Sequence, residues 1–294
     1  MSAAARVLAQ AKINLLLRVL AQETSGYHSI ETVLLRIDLA DEVRVRITNG
    51  RSLDCAGPAL PTTGLGPTEK NLAYRAAVSY TEAAGWPDGF AIELDKRIPV
   101  GGGLGGGSAD AGAVLRALDA LSPKPLGSAL LEVAGPLGAD VPFMTMDAPL
   151  ALGWSRGERL LPLHPLAPRP VVLLTPDFGI STAQAYGWVA SDRGSYAPTP
   201  AVFDPARLAT WEALPRIATN DFGVVVARRH PIIAELVDSL RAHGAAIAML
   251  SGSGSTVFGI FDGVPDAAAV ERSTGHSAVA TRTSDRVVRV ELDR

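Results

Sequence analysis

"PVGGGLGGGSADAGAVL", residues 99–115, decides how the rest of the chain is read. Six glycines, Gly101, Gly102, Gly103, Gly105, Gly106 and Gly107, fall between an alternating stretch, "FAIELDKRIPV" (90–100), and a helical one, "ADAGAVLRALDAL" (109–121). Glycine costs conformational entropy, so six in one turn between a strand and a helix call for a purpose. Bare backbone amides can wrap a phosphate closely, and the following helix adds free N–H groups and the positive end of its dipole. The Ser108 hydroxyl stands where it can reach a phosphate or a metal ion. Without such a ligand the stretch reads as a linker or a tight turn.

Other phosphate loops fit less well. Gly101, Gly103 and Gly106 satisfy G-x-G-x-x-G, but a dinucleotide fingerprint also needs an early βαβ unit and an acidic residue closing the next strand. Asp119 has nearly the right spacing and lies inside a helical pattern. A Walker A loop needs a lysine before its hydroxyl residue, where this chain has Gly107.

"AKINLLL" (11–17) raises a separate question. As a strand it places Ile13, Leu15, Leu17 and Val19 on one face and Lys12, Asn14, Leu16 and Arg18 on the other. The second face reads by itself as solvated. Lysine is scarce, however: Lys12, Lys70, Lys96 and Lys124 are the only four among 27 basic residues. A compact ammonium approaches a hydroxyl or phosphate as a point charge, which a planar guanidinium does not imitate.

The 294 residues are enough for two ordinary domains, and 47% apolar with 19% charged residues supports a substantial core. A net charge of −3 gives no general attraction to nucleic acid or to an anionic membrane, so neither is expected as a partner. Cys55 is the only cysteine, which excludes an intrachain disulfide and fits a cytoplasmic location. No apolar run approaches the roughly 20 residues needed to span a bilayer.

Along the chain, "TSGYHSI" (24–30) reads as a turn, "ETVLLRIDL" (31–39) and "DEVRVRIT" (41–48) as two strands, and "GPALPTTGLGP" (57–67) as a loop. Residues 68–85 read as a helix, with Thr68 near its start and Gly85 past its end. Four prolines, Pro162, Pro165, Pro168 and Pro170, mark a domain boundary, giving units 1–165 and 166–294. Beyond it, "VVLLTPDFG" (171–179) begins as a strand, and 230–244 is an amphipathic helix. "SGSGS" (251–255) reads as a tight turn between two short core strands.

Residues 99–115 resemble the ATP loop of the GHMP kinases, a superfamily of small-molecule kinases. "AKINLLLRV" (11–19), "SGYHSIETV" (25–33), "GADVPFM" (138–144), "NDF" (220–222) and "LSGSGSTVFGIF" (250–261) fit that superfamily in the same order. The AKIN and GYH pair resembles more narrowly the branch that phosphorylates the 2-hydroxyl of 4-diphosphocytidyl-2-C-methyl-D-erythritol in the non-mevalonate isoprenoid pathway. The resemblance implies an α+β, two-domain fold. Its N-terminal ATP-binding domain would be like ribosomal S5 domain 2, its C-terminal domain ferredoxin-like, with the ligands in the cleft between them.

It also implies roles. Lys12 and Asp140 would meet at the acceptor hydroxyl. Asp140 would take the proton, and Lys12 would stabilise negative charge on the oxygen or the transferring group. From the residues alone, Asp140 reads first as a helix N-cap before Pro142, a reading that can coexist with catalysis. Pro99, Gly101, Gly102, Gly103, Leu104, Gly105, Gly106, Gly107, Ser108 and Ala109 would hold ATP, with Mg²⁺ expected and its ligands unassigned. A branched side chain at Gly105 is expected to damage ATP binding first. Tyr27 would stack on the cytosine, His28 would read its edge, Asn14 would line the acceptor pocket, and Thr182 and Tyr186 would close on the diphosphate and the base. Three positions depart from the resemblance: Ser25 and Gly223 stand where acidic residues are usual, and Trp154 interrupts "LGWSRGE" (152–158).

Overall fold

The computed structural model describes residues 3–22, 28–192, 205–208 and 210–293. Its first sheet grows from a long antiparallel pair, β1 (Ala4–Gln22) and β2 (His28–Thr48). The two strands expected over 31–48 are one, because β2 keeps its pairing with β1 while changing partner on its other edge. β3 (Arg51–Ala56) and the hairpin of β5 (Leu150–Ser155) and β6 (Arg159–Pro162) were not legible as strands. β4 (Gly89–Asp95) pairs with the second half of β2 and β5 with the first half. His28 therefore begins a strand and does not belong to the preceding turn.

The helices covering this sheet start and stop for local reasons. Thr68–Lys70 form a single 3₁₀ turn, and α1 (Leu72–Ala84) begins only after Asn71, whose side chain accepts from the Ala73 amide at 2.9 Å. Gly85 ends it in the left-handed region at φ 64°. α2 (Gly106–Leu121) follows the glycine loop directly and packs on β1, β2, α1 and the short α4 (Val141–Thr145), with α3 (Leu130–Ala134) alongside.

The second sheet has four antiparallel strands in the order β11 (Ala278–Arg282), β7 (Pro170–Leu174), β10 (Val257–Ile260), β9 (Ile247–Leu250). This is the strand order of a ferredoxin-like split βαβ. β7 is uniformly apolar because both its faces are covered. Val171 and Leu173 join the core under the first sheet, while Val172 and Leu174 join a second core. That second core is built with α5 (Thr182–Asp192), α8 (Asp221–Arg229), α9 (Ile232–Ala242) and α10 (Ala267–Thr274). Two short helices, α6 (Pro205–Leu208) and α7 (Leu214–Ile217), lie between α5 and α8. The first sheet is completed from the far end of the chain: β8 (Thr219–Asn220) and β12 (Glu291–Asp293) both pair with β1.

β1 is thus interior, and its second face is not solvated. Lys12 is 4% exposed, Asn14 and Leu16 are 2%, and Arg18 is 8%. The solvated reading of that face is overturned: α2 packs on β1 and β8 pairs along it. The expected alternation is broken too, because a register shift between Asn14 and Leu16 puts Leu16 with Ile13 and Leu15 in the first core, and Leu17 and Val19 in the second.

Candidate active site

A cavity of about 690 Å³ opens beside β1, with the glycine loop along one side. Pro99, Gly101 to Gly107 and Ser108 line it. Ala109 does not: it is buried, and its amide donates to the Gly105 carbonyl at 2.8 Å in the first helical turn. Gly101, Gly103 and Gly105 all have φ between 71° and 78°, where a side chain is strained. The loop is tied to β1 by the Lys12 amide, which donates to the Leu104 carbonyl at 3.0 Å.

Lys12 projects into the cavity floor. Its Nζ donates to Asn14 Oδ1 at 2.7 Å, and Asn14 Nδ2 donates to Thr32 Oγ1 at 2.8 Å. Thr32 in turn donates to the Leu16 carbonyl. This chain of bonds across β1 and β2 fixes where the ammonium sits. Asp140 Oδ2 lies 3.5 Å from Lys12 Nζ, with the lysine side chain 5% exposed and the aspartate 33%. Asp140 does precede α4, but its side chain makes no capping hydrogen bond and faces Lys12 instead.

Sequence reading missed what holds α4. Buried Arg36, opposite Lys12 on β2, donates to the carbonyls of Phe143 at 2.6 Å, Met146 at 3.2 Å and Ala148 at 3.3 Å. Burial and the neighbouring Arg116 push its pKa down to about 9, which leaves it charged at neutral pH. The unbroken apolar run of β2 could have flagged it, since Arg36 falls among Val33, Leu34, Leu35 and Ile37, all buried.

The "SGSGS" segment is more than a turn. The Ser251 hydroxyl donates to the Gly103 carbonyl at 3.0 Å, and the Thr256 amide donates to the Gly102 carbonyl at 3.1 Å. A Cβ at Gly103 would stand 2.1 Å from the Ser251 carbonyl oxygen. Asn220 clamps the segment from behind, with Nδ2 donating to the carbonyls of Leu250 and Gly252, both at 2.8 Å. Its Oδ1 caps α8 by accepting from the Phe222 amide. Asp221 accepts from the Val19 amide at 2.8 Å, so "NDF" fastens β1 to the second glycine segment.

Both glycine segments press on the same lysine. A Cβ at Gly105 would lie 3.1 Å from Lys12 Cγ and Cε, and one at Gly252 would lie 3.3 Å from Lys12 Nζ. The absence of side chains there leaves the ammonium its channel.

Beneath the loop lies a buried cluster the sequence did not reveal. Lys96 Nζ donates to Asp41 and, at 2.5 Å, to Asp110 Oδ2. Asp41 Oδ1 also accepts from the Arg97 and Ile98 amides. Two carboxylates share one ammonium, and burial pushes the Asp110 carboxyl up to about 7.

Tyr186 and Thr182 also line the cavity. Thr182 Oγ1 is 3.2 Å from Ser253 Oγ, and burial raises the Tyr186 phenol to about 12. His28 does not line the cavity; it stacks on Tyr186 with ring centroids 4.9 Å apart, while Phe222 meets Tyr186 edge-on. Tyr27 and Ser25 lie outside the described residues. Trp154 is 40% exposed, and a side chain at Gly223 would meet nothing within 4 Å, so neither departure disturbs the cavity's packing. Among the described residues no cluster of three or more His, Cys, Asp or Glu is placed to hold a metal ion.

The profile "GHMP kinases N terminal domain" matches residues 71–148, and "GHMP kinases C terminal" matches 206–274. A 4-diphosphocytidyl-2-C-methyl-D-erythritol kinase of Geobacter sp. (strain M21) is 36% identical over 285 residues, 95% of this chain and 98% of that protein. The enzyme of the same name from Salinibacter ruber is 40% identical over 261 residues, 86% of this chain and 89% of that one. The chain belongs to the 4-diphosphocytidyl-2-C-methyl-D-erythritol kinase family. A crystal structure of a 4-(cytidine 5'-diphospho)-2C-methyl-D-erythritol kinase superposes with a TM-score of 0.76 at 36% identity, covering 95% of this chain and 99% of that one. Homoserine kinase from Cytophaga hutchinsonii shares the fold, with a TM-score of 0.66 at 18% identity. Members of the 4-diphosphocytidyl-2-C-methyl-D-erythritol kinase family are small-molecule kinases, with ATP as co-substrate.

Proposed function

We propose that the chain transfers the γ-phosphoryl group of ATP to the 2-hydroxyl of 4-diphosphocytidyl-2-C-methyl-D-erythritol, in the cytoplasm, with Lys12 and Asp140 at the reacting oxygen. The observation that carries this reading is the buried Lys12 ammonium, 3.5 Å from Asp140, on the floor of the cavity that the glycine loop lines. ATP phosphates lie along the amides of Gly101 to Gly107 and the Ser108 hydroxyl, at the positive end of α2. The acceptor enters from the side of Tyr186 and Thr182, with Asn14 below its hydroxyl. His28 acts here by backing Tyr186, and Tyr27 is proposed to supply a second stacking face for the cytosine.

In the transfer the acceptor oxygen bonds to phosphorus as the bond to the β–γ bridging oxygen breaks. ADP leaves, and the hydroxyl proton passes to Asp140. Lys12 stabilises the negative charge on the acceptor oxygen and the moving group. Positioning and electrostatics dominate phosphoryl transfer, so these two charges suffice for the protein's part. A Mg²⁺ would be carried mainly by the nucleotide phosphates, with the Ser108 hydroxyl of the glycine loop as its protein oxygen, leaving Asp140 to take the proton. When bound, that ion neutralises phosphate charge.

The test is ADP release from purified protein with ATP and, in turn, the cytidylated acceptor, homoserine and mevalonate. Release is expected with the first alone. Equal or greater release with either of the others would overturn the acceptor assignment.

A further inference from the structure

We infer that Lys96, with Asp41 and Asp110, is a positioning clamp for ATP: it ties the entry of the glycine loop to its exit and so sets where the first amides of α2 meet the nucleotide phosphates. This inference rests on the reading above that ATP lies along the glycine loop, and adds residues that act through that loop.

The clamp is made of bonds at both ends of the loop. At the entry, Asp41 Oδ1 on β2 accepts from the Arg97 amide at 2.5 Å and the Ile98 amide at 2.8 Å. The backbone of Lys96 is fixed there as well. Its amide donates to the Ala56 carbonyl at 2.7 Å, and its carbonyl accepts from the Ala59 amide at 2.9 Å. At the exit, Asp110 lies one turn into α2, and its Oδ2 accepts from Lys96 Nζ at 2.5 Å. The same ammonium donates to Asp41 Oδ2. The two ends also meet directly: a Cβ at Gly106 would lie 3.1 Å from Ile98 Cγ2 and 3.6 Å from Lys96 Nζ. One buried ammonium thus closes the base of the whole loop.

The middle of the loop is held by other means. The Gly102 and Gly103 carbonyls take donors from Thr256 and Ser251, and the Leu104 carbonyl takes the Lys12 amide. Those bonds stop short of α2, whose first amides have no partner within the helix and are the ones that favour phosphate. Among the described residues, Lys96 to Asp110 is the side-chain hydrogen bond that joins the strand end to the start of α2. Asp110 Oδ1 is buried and has no hydrogen-bond partner among the described residues. A bare carboxylate oxygen is unfavourable there, and burial raises this carboxyl to about 7. A proton on Oδ1 leaves the clamp with one ammonium, one carboxylate and one neutral acid. Asparagine imitates that neutral group and keeps an oxygen for Lys96, whereas alanine cuts the exit bond.

The experiment is calorimetric titration of the full chain with ATP and, separately, with the cytidylated acceptor. The unaltered protein is compared with Lys96→Met, Asp110→Ala and Asp110→Asn, with melting curves to establish folding. Lys96→Met and Asp110→Ala are expected to weaken ATP roughly tenfold or more, the scale of one charged hydrogen bond, with acceptor affinity unchanged. Asp110→Asn is expected to bind ATP close to the unaltered value. A role in general stability alone would lower the melting temperature without separating ATP from acceptor or alanine from asparagine. Unchanged ATP affinity in Asp110→Ala, equal weakening in the two Asp110 variants, or equal weakening of ATP and acceptor would overturn the inference while leaving the ATP reading intact. If Lys96→Met does not fold, the Asp110 pair decides alone. No ATP binding by the unaltered protein would overturn the ATP reading itself, and this inference with it.

Discussion

Replacing Gly105 with alanine should cripple turnover by pushing on Lys12, not by blocking ATP. The missing Cβ points away from solvent, to within 2.8 Å of Met144 Cε and 3.1 Å of Lys12 Cγ and Cε. Two costs follow. Alanine at φ 71° carries the left-handed penalty of about 1–2 kcal/mol. Crowding a packed site adds about 1–3 kcal/mol. The sum is a loss of about 2–5 kcal/mol in urea unfolding. Gly101 supplies the internal control: its φ is 76°, but a Cβ there meets nothing within 4 Å. Gly101→Ala should therefore lose only the strain, about 1–2 kcal/mol, and keep its kcat. Gly105→Ala should in addition lose roughly 10²-fold in kcat, the scale of a 1 Å misplacement of a reacting group. Steady-state kinetics at saturating ATP, alongside unfolding curves, separates the two. If the two variants matched in both stability and kcat, Lys12 would not depend on the bare backbone at Gly105, and the reasoning would fail.

Asn220→Ala removes two donors from the carbonyls of Leu250 and Gly252 and the cap of α8, and is expected to cost about 2–4 kcal/mol by thermal or urea unfolding. A loss below about 0.5 kcal/mol would show that the clamp is dispensable. Asp110 carries a pH signature. Its folded pKa is raised from 3.8 to about 7 by burial and the nearby Asp41 carboxylate, against the opposing pull of Lys96, so the native state keeps a proton that the unfolded chain gives up. Stability from this group is present below about pH 4 and is lost as pH rises towards about 7. The stability of Asp110→Asn relative to the unaltered chain should therefore rise across that window and level off above it; a constant difference would contradict the assignment.

Legibility in the sequence followed the range of the interactions. α1, α2 and α9 were readable because their signals are local: apolar periodicity, with Gly85 past the end of α1 and the glycine run before α2. The pleat of β4 was equally plain. The union of residues 28–48 into one strand was not, because it depends on β4 and β5, brought from distant parts of the chain. β12 and β8 on the edges of β1 lie still further away in sequence. For the same reason the face of Lys12 read as open when it is closed by elements from elsewhere. In the site, the glycine loop announced itself by composition. Lys12 and Asp140 needed a resemblance to be paired, since 128 residues of sequence separate groups that lie 3.5 Å apart. The Asp41–Lys96–Asp110 cluster carried no local signal, and the Arg36 staple only the apolar run in which it sits, because a buried charge and an exposed one look alike until the packing around them is known.

A double-mutant cycle on Lys12 and Asp140 tests the central claim most directly. Lys12→Met keeps most of the stem and removes the charge; Asp140→Asn keeps the shape and removes the base. With folding established by circular dichroism and melting, each is expected to lower kcat by about 10²-fold or more, with smaller changes in substrate affinity. The double variant should be scarcely slower than the poorer single one, as for groups acting as a unit. Near-normal turnover in Lys12→Met, or two losses that simply multiply, would contradict the account.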